Sequence, residues 1–171
     1  MRTGAGIVSL MSAVLILSVC AALMTSCGCK CRSGGDNPEA DLSRPATPGL
    51  LGADIKLNGG GFAMGEPIVM TLEVTNKADR TVTLTFPTAQ RYDFIIKKGK
   101  QTIWQWSAGR MFAQVVGRYE LAPGDTISYE YTWDQTGADG TKPGLGAYTI
   151  EGLLMLSPPF RVGPKTFGIV D

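Results

Sequence analysis

Residues 68–75 alternate without a break: Ile68, Met70, Leu72 and Val74 are separated by Val69, Thr71, Glu73 and Thr75. Period-two alternation sends one set of side chains to a core and the other toward water, which an extended strand does and a helix cannot. The pattern returns in Val82, Leu84 and Phe86 between Thr81, Thr83 and Thr85. It returns again in Ile127, Tyr129, Tyr131 and Trp133 between Thr126, Ser128, Glu130 and Thr132. Strands with one apolar and one polar face belong to antiparallel sheets packed face to face.

Turn signals separate these runs. Asn76–Arg80 joins the first two, and Lys98-Gly99 lies between Tyr92–Lys97 and Gln101–Trp106. Ala122-Pro123-Gly124-Asp125 predicts a type II turn, with Pro setting the second position and Gly free to take a positive φ at the third. Pro143-Gly144 precedes an apolar run from Ala147 to Leu156. The expected fold is an all-β, immunoglobulin-like antiparallel β-sandwich of about seven or more strands over residues 54–171. The stretch Ser107–Val115 breaks the alternation and predicts a helical turn.

Two absences narrow the chemistry. The chain has no His, which removes imidazole triads and the commonest metal ligand. Its four Cys (Cys20, Cys27, Cys29 and Cys31) precede the body, which is left without a thiol nucleophile or a disulfide. Neither a G-x-S-x-G elbow nor a P-loop occurs. Asp93 and Glu130 fall at solvent-type strand positions, and Ser107 has no partner at a catalytic spacing. The reading is of a protein that is not an enzyme and takes no cofactor or metal. Lys and Arg number 16 against 15 Asp and Glu, so no basic face for nucleic acid is expected.

The N-terminus reads as an export signal. Arg2 is followed by an uncharged run, Ile7–Met24, and then Thr25-Ser26-Cys27-Gly28. Met24-Thr25-Ser26-Cys27 resembles a bacterial lipobox, which implies a diacylglyceryl thioether on Cys27, cleavage before it and acylation of the new terminus. Cys20 fits less well, because the β-branched Val19 precedes it. An uncleaved transmembrane anchor is the other reading of the run, which is near the short limit for a span. Residues 1–26 are thus expected to be a helical signal peptide, and residues 27–53 a lipidated terminus and flexible linker. Residues 28–53 hold no aromatic, Val or Ile and cannot form a core; as a coil they would span roughly 25–30 Å. Cys29 and Cys31 do not close a tetrahedral site once Cys27 carries lipid. The expected location is a bacterial membrane, at the periplasmic face or the cell surface.

The body also carries an ordered set of motifs. They are Phe86-Pro87-Thr88-Ala89-Gln90, Tyr92-Asp93-Phe94, Trp104-Gln105-Trp106-Ser107 and Met111-Phe112-Ala113-Gln114, then Pro123-Gly124-Asp125, Trp133 and Gly146-Ala147-Tyr148. In this order they resemble the BsuPI domain, the family of a bacterial intracellular proteinase inhibitor, over roughly residues 55–156. The resemblance implies an immunoglobulin-like sandwich and inhibition of a serine protease. The chain departs from the family pattern at its Pro-Gly-x-Tyr hairpin, which is expanded here into Asp134–Leu145. Export would also separate it from a cytoplasmic target.

Candidate binding residues follow. Trp104, Trp106 and Phe112, with Arg110 beside them, could form an aromatic recognition patch, since Trp and Arg are enriched at binding hot spots. Trp104 and Trp106 share a strand face, so a core-capping role competes with recognition. Asp134 and Lys142 lie in the expanded loop, of the kind that carries function on a rigid scaffold. The expected partner is a protein, with a serine protease favoured. An accessory module of an envelope complex is the other role these features allow.

Overall fold

The computed structural model describes residues 48–171. The signal-peptide, Cys27, Cys29 and Cys31 readings lie outside the described residues, as does the linker up to residue 47. Ten strands follow a single 3-10 turn, Pro48–Leu50: β1 (Leu51–Leu57), β2 (Gly61–Ala63), β3 (Ile68–Asn76), β4 (Val82–Phe86), β5 (Tyr92–Lys98), β6 (Gln101–Gln105), β7 (Gly117–Leu121), β8 (Thr126–Trp133), β9 (Gly146–Leu154) and β10 (Phe160–Val170). Strand β1 takes in Leu51–Ala53, which the sequence reading assigned to the linker. Leu51 and Ile55 are buried, and Leu51 pairs with Asn76, so the folded body takes in Leu51–Ala53 as well as Asp54 onward.

The first sheet has the order β1-β3-β8 and the second β2-β10-β9-β5-β6. β4 and β7 form a separate antiparallel pair. A three-stranded β1-β3-β8 sheet and a β10-β9-β5-β6 sheet reproduce the A-B-E and G-F-C-C′ orders of immunoglobulin-like sandwiches. The pairing is antiparallel except for the short β2, which runs parallel to β10. Tyr148, near the start of β9, donates its hydroxyl hydrogen bond back to the carbonyl of Gly144. A tyrosine near the start of strand F does the same in the tyrosine corner of that architecture.

Alternation predicted the core well. Ile68, Met70, Leu72 and Val74 on β3 are all fully buried, and Ile127 and Trp133 join them from β8. From the second sheet come Phe94, Ile96, Tyr148, Ile150, Phe167 and Ile169. Val82, Leu84, Phe86 and Leu121 from the β4–β7 pair complete one continuous cluster. A fully buried side chain of this class contributes about 1.5–3 kcal/mol. Gly152 leaves room for side chains of the facing sheet: a Cβ there would lie 3.1 Å from Leu72 Cδ1 and 3.3 Å from Ile55 Cδ1.

The Pro123-Gly124 turn forms as expected, with Gly124 at φ 80° and the Asp125 amide bonded to the Ala122 carbonyl at 3.0 Å. Buried Asn76 ties this turn to the β3–β4 connection. Its Nδ2 donates to the carbonyls of Arg80 and Leu121, both at 2.8 Å, and its Oδ1 accepts from the Ala78 amide at 2.9 Å. The segment Ser107–Val115 is not helical. It makes two overlapping tight turns, closed by Ala108 N–H to Gln105 and Arg110 N–H to Ser107, and then runs irregularly from Met111 to Val116. Its backbone bonds go to a side chain and a neighbouring turn instead of forming a helical ladder.

Candidate functional site

β6 and β8 are edge strands of opposite sheets, and aromatic rings fill the side of the sandwich between them. Alternation on β8 turns Tyr129, Tyr131 and Trp133 to one face. Trp104 from β6 stacks on Tyr131 with ring centroids 5.4 Å apart, and lies 6.0 Å from Trp133. Tyr92 from β5 stacks on Tyr129 at 4.9 Å and meets Trp106 at 4.4 Å. Trp106 in turn stacks on Phe112 at 5.7 Å. The structure thus brings Trp104, Trp106 and Phe112 into one band. All three are half-buried; Trp104 and Trp106 pack against the core, and Phe112 lies on Trp106, so the band still presents a surface.

Arg110 lies over this band. Its guanidinium carbon is 4.5 Å from the Trp106 ring centre and 5.8 Å from that of Tyr131, and its Nε donates to the Trp106 carbonyl at 2.8 Å. A cation over an indole face is attracted by the ring quadrupole. Burial pushes the Tyr92 hydroxyl above its ordinary pKa of 10.0, opposed by the charge of Arg110. Burial also raises Tyr129, opposed by Arg91. The Trp106 indole N–H is buried with no acceptor among the described residues.

A carboxylate that the sequence reading placed toward solvent braces the band from behind. Asp93 is only 3% exposed. It points away from the core-facing Phe94 and Ile96, but the turn after β6 folds over it. Its Oδ2 accepts from Ser107 Oγ and from Gln105 Nε2, each at 2.6 Å, and its Oδ1 accepts from the Ser107 amide at 3.0 Å. Ser107 Oγ thus donates to Asp93 and accepts from Gln105 Nε2 at 3.0 Å. Alternation reports only the face of a strand, so it could not show that a neighbouring turn would bury that face. Glu130 is exposed, as expected.

Beyond Arg110 the chain leaves the body. Met111 is 99% exposed, and Val115 and Val116 are also exposed. Met111 and Phe112 are flanked by two fixed points, Arg110 and the Ala113 carbonyl, which accepts from the Ala89 N–H at 2.9 Å. The N–H and C=O of Met111 have no hydrogen-bond partner among the described residues.

Asp134 and Lys142 serve the expanded loop itself. Asp134 Oδ1 accepts from the Thr136 amide at 2.9 Å, and Lys142 Nζ donates to the Asp134 carbonyl at 2.6 Å. No hydrogen bond joins either residue to Arg110 or Phe112 among the described residues. Besides the bonds of Lys98 and Tyr148 to the carbonyls of Gly144 and Leu145 at its end, the loop is fixed to the body at three places in its first half. Ala138 N–H bonds the Ile103 carbonyl on β6 at 3.0 Å, and Trp133 Nε1 donates to the Thr136 carbonyl at 2.9 Å. The third is Gln135, which sequence reading missed. It is fully buried with φ 58°. Its Nε2 donates to the carbonyls of Ala63 and Glu66, both at 2.8 Å, and its Oε1 accepts from the Gly65 amide at 2.9 Å. A lone Gln in a polar loop gives no periodic signal, so nothing in the sequence marked it.

Among the described residues no group of three His, Cys, Asp or Glu side chains is placed to hold a metal, and no helix is long and apolar enough to cross a membrane. No curated protein matches the chain. Several solved structures align with part of it. A β-glucosidase from Erythrobacter marinus aligns at 13% identity over 70% of this chain and 15% of its own, with a TM-score of 0.42. The sporulation control protein Spo0M from Bacillus subtilis aligns at 12% identity over 71% of this chain and 50% of its own, at 0.44. A CARDB domain from Pyrococcus furiosus, solved with di-metal ions, aligns at 12% identity over 70% of this chain and 92% of its own, at 0.40. The chain thus spans half or less of the first two, and likenesses at these scores carry no functional argument. The profile of the BsuPI family, described as intracellular proteinase inhibitor, matches residues 60–158. That match takes in the aromatic band, the exposed segment and the expanded loop and covers more than half of the chain, which therefore belongs to the BsuPI proteinase-inhibitor family.

Proposed function

We propose that this protein is an exported lipoprotein, anchored through Cys27, whose sandwich docks on a serine endopeptidase and blocks it. A proteinase-inhibitor domain is a binding module, in accord with the missing His and the missing nucleophile motifs. The observation that carries the reading is the exposed segment Met111–Val116 beside a braced aromatic band. Protease inhibitors bind tightly when a pre-organised surface enters the enzyme with little loss of conformational freedom. Trp104, Trp106 and Arg110 would form the rim beside the segment, together with the ring of its own Phe112, which is turned back onto Trp106. Asp134 and Lys142 would act at a distance, by holding the expanded loop against β6. Lipid at Cys27 and the linker would keep the domain close to a bacterial membrane, facing the periplasm or the cell exterior.

Crosslinking on native membranes with the anchor intact tests this reading, together with mass spectrometry of the N-terminal peptide. The expected capture is a serine endopeptidase that the purified chain slows, and the expected peptide begins at a lipid-modified Cys27. Capture of a stable envelope complex without a protease, and no slowing of any protease from that compartment, would favour the accessory role.

A further inference from the structure

We infer that Met111 is the anchoring side chain of a substrate-like segment and that it enters an apolar S1 pocket of the endopeptidase. The inference rests on the inhibitor reading above and adds the residue and the pocket chemistry. Of the methionines on the sandwich, Met70 is wholly buried, Met155 partly buried and Met64 half exposed, whereas Met111 stands free at 99% exposure. A side chain of that size given wholly to water contributes nothing to the core that its neighbours complete.

The backbone around it suits a protease cleft. An endopeptidase binds its substrate as an extended strand and needs free amides and carbonyls to pair with. The N–H and C=O of Met111 meet that need, because neither has a partner among the described residues. The residues on either side are clamped. Arg110 is tied to Trp106 through its Nε and its guanidinium, and the Phe112 ring is turned back onto Trp106. The Ala113 carbonyl is held by the Ala89 amide. Met111 is thus the tip of a short bow with fixed ends, so little backbone entropy is lost on docking.

The chemistry of the tip selects the pocket. In serine proteases the S1 pocket sets specificity, with an apolar slot in one class and a buried carboxylate in another. Met is long, unbranched and adaptable, which suits an apolar slot. The run Ser107–Gly117 contains no acidic residue, and its single cation, Arg110, is engaged by Trp106 and Tyr131. Val115 and Val116 continue the apolar surface toward β7.

The test uses the full chain, produced in an exporting bacterial host and purified in detergent. It is assayed against subtilisin and chymotrypsin, which have apolar S1 pockets, and trypsin, which has an acidic one. The wild type is expected to inhibit at least one of the first two and to spare trypsin. Met111→Lys should weaken that inhibition by about 30-fold or more, the loss typical of a central anchor, and should gain inhibition of trypsin. Met111→Gly should lose the first without gaining the second. Because Met111 touches no core residue, thermal unfolding should be unchanged in both. Equal inhibition by wild type, Met111→Lys and Met111→Gly would overturn the assignment of Met111 and leave the inhibitor reading standing. Failure of the wild type against every protease of the set would overturn both.

Discussion

Replacing Gln135 isolates what holds the expanded loop. Its side chain makes three hydrogen bonds to the backbone of Ala63, Gly65 and Glu66, all from a fully buried position. A net contribution of about 1 kcal/mol per bond puts the cost of Gln135→Ala at about 3 kcal/mol. Backbone strain is a separate quantity. At φ 58° an alanine is disfavoured by about 1 kcal/mol relative to glycine, so Gln135→Gly should cost only about 2 kcal/mol. Urea unfolding followed by the fluorescence of the three tryptophans reads both variants. With a slope of about 1.5 kcal/mol per molar, the midpoint should fall by about 2 M for Ala and about 1.3 M for Gly. Coincident midpoints for the two variants would refute the strain argument. A fall of less than about 0.5 M for Ala would refute the role of Gln135 as the clasp between the loop and the β2–β3 turn.

Other consequences can be measured in the same way. Gly152→Val should lose about 1–3 kcal/mol in urea unfolding, because its methyl groups would meet Leu72 and Ile55 of the facing sheet. Asp93→Ala should cost about 2–4 kcal/mol by stranding the donors of Gln105 and Ser107, and should speed amide exchange over residues 107–113. In alkaline spectrophotometric titration Tyr92 and Tyr129 should ionise above the ordinary tyrosine value of 10.0, since burial raises both. A raised folded pKa stabilises the protein fully below pH 10.0, and that stability is lost as pH climbs through the folded value. Replacing both with Phe should remove the late-titrating signal.

Much of the sandwich was legible because its strands have one wet face. Alternation found β3, β4 and β8 and assigned Leu72, Leu84 and Trp133 to the core. It missed β1, where Gly52 and Ala53 interrupt the pattern and Leu50 and Leu51 stand side by side. It also missed β7, whose residues Arg118–Glu120 are all exposed, and β10, where Gly163, Pro164 and Gly168 obscure the period. The rings of the candidate site were visible as motif residues, and their spacing showed that Trp104 and Trp106 share a direction. Their contacts with Tyr129 and Tyr131 on β8 were not visible, since these cross between sheets, and the contact of Trp106 with Tyr92 depends on how β6 pairs with β5. Asp93 and Gln135 escaped for a common reason: their partners lie on turns, and the burial those turns impose depends on tertiary folding that a period cannot encode. Alternation marked Met70 for the core, whereas Met111 lies in a stretch without alternation, where no local signal told its exposure.

The most direct test of the account compares binding of the chain to an active serine endopeptidase with binding to the same enzyme after a covalent inhibitor has filled its S1 pocket and blocked its catalytic serine. If Met111 and its segment occupy the cleft, the free enzyme binds and the blocked enzyme does not. Equal affinity for the two would place docking away from the cleft and contradict the account.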